Sequence, residues 1–440
     1  MLRGIGIDFG TTNSVVAVAH GDGSVRALAF PSAAGPTETF RTALTFRLTG
    51  PVREQRILHR AGPEALAWAL DPQGDQRFIQ SIKTHLASRL FKDTRLFGRR
   101  YTLPDLIGTF LTHLLEEGAL AGPLPAVVAG RPVVFAGENP DEALALQRLG
   151  EAYAQAGVAA PRFAYEPLGA AYWYAKDLTR PETVLVADFG GGTSDFSVMR
   201  FEPGPQGLGA ESLAHDGVGV AGDTFDTRII ERVVAPRLGK DTLHRSLGKA
   251  LPVPQHFYAS LARWHQLSWL KNARTLADLD DIANGADDPA AIQALKTLIE
   301  YDLGFELHHA VAGTKAALSG ADEAMLSFRH SGITVEGTVR RADFERWISA
   351  DLAGIEAAMD RALAAAGLPA GAIDAVFMTG GTSYVPAVRA LFERRFARER
   401  IHFGNAFQSV AAGLALVALR EGPLSDSRPA SAAAPAAALN

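Results

Sequence analysis

One arrangement occurs twice in this chain, and it limits what the chain can fold into. Ile5 to Val18 reads IGIDFGTTNSVVAV, and Val184 to Arg200 reads VLVADFGGGTSDFSVMR. In each, an apolar run too short for a helix ends in an aspartate, Asp8 or Asp188, and a glycine turn leads into a second apolar run. The pattern reads strand, tight hairpin, strand. Aligning Asp8 with Asp188 pairs Gly10 with Gly190, an internal repeat. Glycine permits left-handed backbone and leaves no Cβ in the way, so N–H groups of Gly190, Gly191, Gly192 and Thr193 can close on a phosphate. A neighbouring carboxylate can hold a hydrated Mg²⁺ against that phosphate. Either stretch alone also reads as an ordinary bulged hairpin. Two of them can face each other across a cleft and grip one polyphosphate. Neither is a GxxxxGK[ST] loop or a dinucleotide fingerprint, because each turn leads to a strand, not a helix.

Composition closes off other chemistries. The chain has 440 residues, enough for one large or two medium cores. Having no cysteine, it has no disulfide, thiolate nucleophile or Cys-ligated zinc. A formal net charge of −5 gives no reason to expect nucleic acid or anionic membrane as a partner. No apolar run reaches membrane-spanning length, and Met1 enters a strand at once, which reads as no signal peptide. A cytoplasmic location is the expectation. There is no HExxH, and the adjacent His308 and His309 point to different helix faces, so the histidines form no metal signature.

Between the repeats, strands are expected at Val25–Phe30 and Arg41–Leu48, and a helix at 62–70 with Pro63 near its first position. In FIQSIKTHLASRLF, the spacing of Ile79, Ile82, Leu86 and Leu90 predicts a helical stripe with Lys83 in or beside it. Such a lysine either snorkels past the core or points into a cleft, where a bound phosphate would satisfy its charge. A helix is expected over Pro104–Glu117, a strand over Ala126–Ala129 running into Gly130, and a helix over Asp141–Ala156. A strand over Pro161–Tyr165 then leads into a small-residue helix, Glu166–Ala175. Its Gly169, Ala170 and Ala171 would let two backbones approach closely, and Glu166 at its start suits the helix dipole.

The second half repeats this order. GVAGDTFDTRII leads into a helix through Gly222, residues 235–320 read as mainly helical and irregular, and 327–339 alternates as a hairpin. Arg341–Ala365 is a long amphipathic stretch. A buried strand, Ala375–Met378, then ends in TGGTSYVP, and SVAAGLALVAL from Ser409 matches the helix at Gly169. The expected architecture is α/β, with two like lobes joined by two crossing helices. Residues 1–175 form the first lobe, 176–400 the second with its helical insert at about 235–320, and 401–421 a crossing helix that returns to the first. The Ser-, Pro- and Ala-rich tail, 422–440, is expected to be disordered.

IGIDFGTTNSVVAV, VADFGGGTSDFSV, EPLGAA and VFMTGGTSYVPAV together resemble the phosphate-1, phosphate-2, connect-1 and adenosine motifs of the actin, sugar-kinase and heat-shock chaperone superfamily. The chain is most similar to the ATPase domain of DnaK-type chaperones, and within it to stand-alone YegD-like proteins that lack the peptide-binding domain. The resemblance covers about residues 1–420, the inserts excepted. It implies a two-lobed actin-like (ribonuclease H-like) ATPase fold with ATP or ADP in the cleft, Mg²⁺, and K⁺ as a further candidate ion. Asp8 and Asp188, with Asp195 in the same network, would hold the hydrated metal. Gly10, Thr11, Thr12 and Asn13 would contact phosphates, and Gly190, Gly191, Gly192 and Thr193 would cradle the γ-phosphate side. Lys83 falls on the family's catalytic lysine and Glu166 on a carboxylate that orients water, while Asp188 and Thr193 complete the catalytic set. Gly222 and Asp223 fall on its GG-E/D-DFD segment, Lys315 and Ser319 on its ribose- and adenine-side lysine and serine. Gly380, Gly381 and Thr382 would lie against the adenosine. Pro132 matches a proline that relays nucleotide state between lobes.

The chain also departs from the pattern. Ala312 and Ala316 stand where the family has its adenine-site glutamate and arginine, Tyr384 where it has an arginine, and Phe407 where it has an acidic residue. The phosphate machinery is untouched, but a strict preference for ATP is not implied. The resemblance implies a slowly hydrolysing nucleotide switch, with a co-chaperone or client protein as further partner. Expected alternatives are a sugar-type small-molecule kinase, a bacterial actin-like filament protein, and a pseudo-ATPase that binds nucleotide as a structural ligand.

Overall fold

The structure, a computed structural model, describes residues 1–419 apart from 33–34, 52–53, 72, 121, 138, 205–206, 247, 263–266, 268–269 and 405–407. Its frame is two mixed sheets with the same strand order. In the first, Leu2–Asp8 is the middle strand, with Asn13–His20 and then Val25–Ala27 antiparallel on one side. Ala126–Arg131 and then Arg162–Tyr165 lie parallel on the other. In the second, Glu182–Phe189 is central, with Ser194–Gly204 and Gly207–Val218 antiparallel on one side and Ala375–Thr379 and Ile401–Phe403 parallel on the other. The register repeats as well. Asp8 pairs with Val15 as Asp188 pairs with Asp195, and Gly4 pairs with Ala126 as Val184 pairs with Ala375. The duplicated α/β architecture read from the two hairpins is therefore present strand for strand.

The middle strands are nearly unbroken apolar runs because both faces are covered. Ile5, Ile7, Val184, Leu185 and Val186 are fully buried. Covering one face are the two small-residue helices, Glu166–Ala175 and Ser409–Leu419. Each follows the last strand of one sheet and packs on the other: Tyr172 meets Phe201 edge-on, and a Cβ at Gly6 would lie 2.1 Å from the carbonyl oxygen of Ala411. Val128, Ala170, Val186, Phe201 and Leu414 share one apolar cluster between the sheets.

The helix expected over Ile79–Leu90 is absent. Gln76–Gln80 is a strand antiparallel to Ala43–Thr49, and only Ile82–His85 coils, as one 3₁₀ turn. Leu90 is 94% exposed and belongs to no stripe. The three- and four-residue spacings imitate a helix, but pairing to a strand already fixed by the core overrides them. Ser81 makes the break with φ +53, and its carbonyl accepts from both the N–H and the hydroxyl of Thr84. Within 235–320 the helices Gln255–Ala262, Ala273–Gly285, Pro289–Glu300 and Gly304–Ala317 are preceded by an unexpected hairpin, Leu243–Ser246 with Lys249–Pro252. The third strand of the first sheet ends at Ala27, short of the expected Phe30, which only bridges to Thr37. The stretch Arg341–Ala365 is two helices, Arg341–Trp347 and Ser349–Ala365. The expected tail and Phe407 lie outside the described residues.

Candidate functional site

The two glycine turns face each other. A Cβ built on Gly191 would lie 2.8 Å from Thr12 Oγ1 and 3.2 Å from both carboxylate oxygens of Asp223. One on Gly192 would meet Thr11 Oγ1 at 3.8 Å. The turns are tight within themselves too: the Gly190 N–H donates to the Thr193 carbonyl at 2.9 Å, and a Cβ at Gly10 would strike the Asn13 carbonyl oxygen at 2.1 Å. The Thr11 and Thr12 hydroxyls thus face the bare backbone of Gly191 and Gly192, groups suited to phosphate oxygens.

Behind the turns sits a charge cluster. Lys83 Nζ donates to Glu166 Oε1 at 2.5 Å, and both side chains are buried. The kink at Ser81 points Lys83 inward, and left-handed backbone at a non-glycine residue persists only where its surroundings hold it. Asp188 and Asp195 are buried alongside. Burial, then the charge of Glu166, pushes the Asp8 carboxyl up to about 7 in spite of Lys83. Burial and Glu166 also push Asp195 up to about 7 and Asp188 well above the carboxylate range. Burial works against the Lys83 ammonium, yet Glu166 and Asp8 outweigh it and its pKa is raised. The lysine's charge is therefore already satisfied by Glu166, a partner that the sequence reading gave to a bound phosphate. Four acids around one lysine make full ionisation unfavourable, a penalty that a divalent cation would relieve. Among the described residues no three of His, Asp and Glu converge closely enough to hold an ion directly. Asp8, Asp188 and Asp195 could hold a Mg²⁺ through its water shell, which that ion keeps readily.

Asp195 also ties the two sheets together. Its Oδ1 accepts from the N–H groups of Val133 and Val134 at 2.8 and 3.2 Å, in the loop that follows Pro132. Two backbone donors on one carboxyl oxygen hold these elements together, and the bonds favour the ionised form against the effect of burial. The Pro132 turn is thus linked directly to the second hairpin.

On the other side of Gly191 lies the remainder of the expected set. Gly380, at φ +85, passes so close to Phe189 that a Cβ would lie 2.0 Å from its carbonyl oxygen. Thr382 and Lys315 both crowd Gly222: a Cβ there would lie 2.9 Å from Thr382 Oγ1 and 3.2 Å from Lys315 Nζ. Lys315 Nζ donates to the Gly222 carbonyl and to Asp226, each at 2.9 Å, so its charge is paired. Burial, then Asp226, pushes Asp223 up to about 6. Gly381 has open space around it. Ala316 is exposed, and Ser319 stands past the helix end with its N–H on the Ala316 carbonyl. Among the described residues no contact ties Ser319 to Gly222 or Thr382. Tyr384 is exposed, with the Arg389 guanidinium 5.3 Å from its ring and 4.4 Å from that of Phe403.

Asp226 and the donors to Asp195 were not foreseen. Asp226 stands three residues after Asp223 on one helix, a spacing that could have revealed it. The Val133 and Val134 donors are backbone groups with no signature in the side chains. A protein-family model described as Hsp70 protein matches residues 143–244 and 302–426, just over half of the chain. The matched segments contain Glu166, Asp188, the glycines 190–192, Asp195, Gly222, Lys315 and Gly380, whereas Asp8 and Lys83 lie outside them.

Proposed function

The chain belongs to the Hsp70 protein family, and from that premise we propose that it is a Mg²⁺-dependent nucleotide switch that binds ATP and hydrolyses it slowly. A nucleotide-binding, chaperone-type ATPase domain goes with the family. The observation that carries the finer reading is the buried Lys83–Glu166 pair behind two facing glycine turns, ringed by Asp8, Asp188 and Asp195. Phosphoryl transfer asks little covalent work of a protein; positioning and charge stabilisation do most of it.

In this reading the Thr11–Asn13 and Gly190–Thr193 turns position the phosphates from opposite sides. Bound Mg²⁺ would supply charge neutralisation at the phosphates, held through water by Asp8, Asp188 and Asp195. Lys83 places its ammonium where negative charge grows, and Glu166 holds that ammonium in place. With Lys83 as its hydrogen-bond partner, Glu166 can also orient a water for attack. The Asp195 bonds to Val133 and Val134 give the site a route to lobe movement, because any shift of the second hairpin pulls on the Pro132 loop. A co-chaperone or client would respond to that movement. Ala312 and Ala316 stand where the family has its adenine-site glutamate and arginine, so we infer weak discrimination among nucleotide bases.

Calorimetry with ATP and ADP, with and without Mg²⁺, tests the binding, and single-turnover hydrolysis tests the chemistry. Tight Mg²⁺-dependent binding with turnover slower than about 1 s⁻¹, the low end of ordinary enzyme rates, is expected. Absence of nucleotide binding would overturn the proposal.

A further inference from the structure

Among the described residues the cleft holds three cations, Lys83, Lys315 and Arg41, and two are already paired. Lys83 is paired with Glu166 and Lys315 with Asp226. The third is Arg41, which the sequence reading passed over.

Its placement follows from the strand it occupies. Phe40–Arg41 pairs antiparallel with the start of the second strand, Asn13 opposite Arg41 and Ser14 opposite Phe40. The Thr42 N–H donates to the Thr12 carbonyl at 2.9 Å, and the Ser14 and Thr42 hydroxyls are hydrogen-bonded at 2.9 Å in the core. Arg41 is therefore pinned beside the first phosphate turn. Neighbours in an extended chain point to opposite faces. Phe40 and Thr42 are fully buried, with Phe40 against Phe30 and Phe110, so Arg41 points the other way. There its guanidinium lies 5.9 Å from the ring of Phe305, which comes from the second half of the chain.

What Arg41 lacks is an anion. Among the described residues no carboxylate forms an ion pair with it; Asp223 is near enough to act on it only through its field. Its hydrogen bond to the Gln80 side-chain oxygen is long, at 3.4 Å. Arg41 Nε and Gln80 Nε2 are both closed off from solvent without an acceptor. A guanidinium with five donors, one weak bond and a second idle donor beside it leaves this wall with surplus positive potential. Keeping an uncompensated charge in such a place is unfavourable unless an anion completes it.

We propose that Arg41, supported by Gln80, is a phosphate-binding residue that holds the nucleotide's phosphate chain from the wall beside Thr12 and Asn13. The inference rests on the nucleotide-binding reading. Among the described residues Arg41 supplies an unpaired cation for a polyphosphate in a cleft where Lys83 and Lys315 are neutralised.

The test compares Mg·ADP with adenosine, which lacks phosphates, by calorimetry on the full chain. Arg41→Met is expected to weaken Mg·ADP about tenfold or more, as loss of a charged hydrogen bond does. Adenosine binding should stay within about twofold, and Arg41→Lys should regain part of the loss. If Arg41 only braced Phe305, ADP and adenosine would weaken together, and that result overturns the inference. Unchanged Mg·ADP binding overturns it as well. Should Arg41→Met fail to fold, the same pair of titrations on Gln80→Met decides the matter, with selective loss of ADP in favour and no loss against. A parent chain that binds neither ligand overturns the nucleotide reading and this inference together. A parent that binds both, with unaffected variants, overturns this inference alone.

Discussion

Gly413 packs on Gly169 with no room for a methyl group: a Cβ added to Gly413 would lie 1.6 Å from the Gly169 carbonyl oxygen. These glycines bring the two crossing helices into backbone contact, beneath the strands that carry Asp8 and Asp188. Gly413→Ala should therefore push the helices apart and cost about 1–3 kcal/mol, the usual cost of overpacking a core. Gly354, on the helix Ser349–Ala365, has nothing within 4 Å of a Cβ and serves as the control. Gly354→Ala should stabilise by about 0.5–1 kcal/mol through helix propensity. Denaturant unfolding of both variants checks the contrast, and equal effects would mean that the helices do not meet as described.

The contact at Gly169 was legible because small residues at the start of both helices are a side-chain pattern, and the duplicated sheet was legible for a similar reason. A strand ending in Asp before a glycine turn is written into the sequence twice. Lys83 was singled out, but on the wrong element, since Ile79, Ile82 and Leu86 keep helical spacing while Gln76–Gln80 pairs as a strand. Its partner Glu166 stands far off along the chain, and no local pattern joins them. The hairpin Leu243–Pro252 escaped notice because its strands are four residues each and largely exposed, so burial imposes no alternation. Arg41 went unread for another reason: an arginine in a short strand is ordinary until its missing partner is seen in three dimensions.

Burial makes the charged forms of Asp8 and Asp188 unfavourable, which costs the folded chain stability at neutral pH. Asp8→Asn and Asp188→Asn keep shape and remove charge, so each is expected to raise the melting temperature without metal. Each should also lower Mg²⁺-dependent ADP affinity by about tenfold or more, equivalent to about 1.4 kcal/mol. Calorimetry with Mg²⁺ and with a chelator separates the two effects. Parental Mg²⁺ dependence in both variants would show that these carboxylates hold no ion.

His59 Nδ1 and His113 Nε2 are hydrogen-bonded at 2.9 Å, which requires at least one ring to be neutral. Burial, then Arg60 and Arg99, pushes the His59 pKa below its ordinary value; burial, then His59, does the same to His113. A depressed pKa in the folded state means that the unfolded chain takes up protons first as pH falls. The contribution is intact above about pH 6.5, the unfolded value, and is lost as pH falls through the lower folded values. His113→Gln should flatten this part of the curve. Melting temperatures at about pH 7.5 and 5.5, ordinary values on either side of the imidazole range, give the comparison. A drop as large in the variant as in the parent would place the pH sensitivity elsewhere.

The last prediction concerns Lys83 and Glu166 as a pair. Removing the lysine leaves Glu166 buried without its cation, beside three other acids. Breaking one side of a buried pair costs about 3–5 kcal/mol, so Lys83→Met should melt lower than the parent in the absence of nucleotide. Adding Glu166→Gln removes the stranded charge and should restore much of that stability. Hydrolysis should not follow the same course. In the proposed mechanism the ammonium stabilises charge that grows only in the transition state, so Lys83→Met should slow single-turnover hydrolysis about 10²–10³-fold, as loss of one oxyanion donor does. The double variant should stay slow while regaining its melting temperature. Nucleotide affinity should change little in either, because backbone groups of both turns still hold the phosphates. Stability and turnover recovering together would make Lys83 a structural residue only. Parental hydrolysis in Lys83→Met would remove it from the catalytic set altogether.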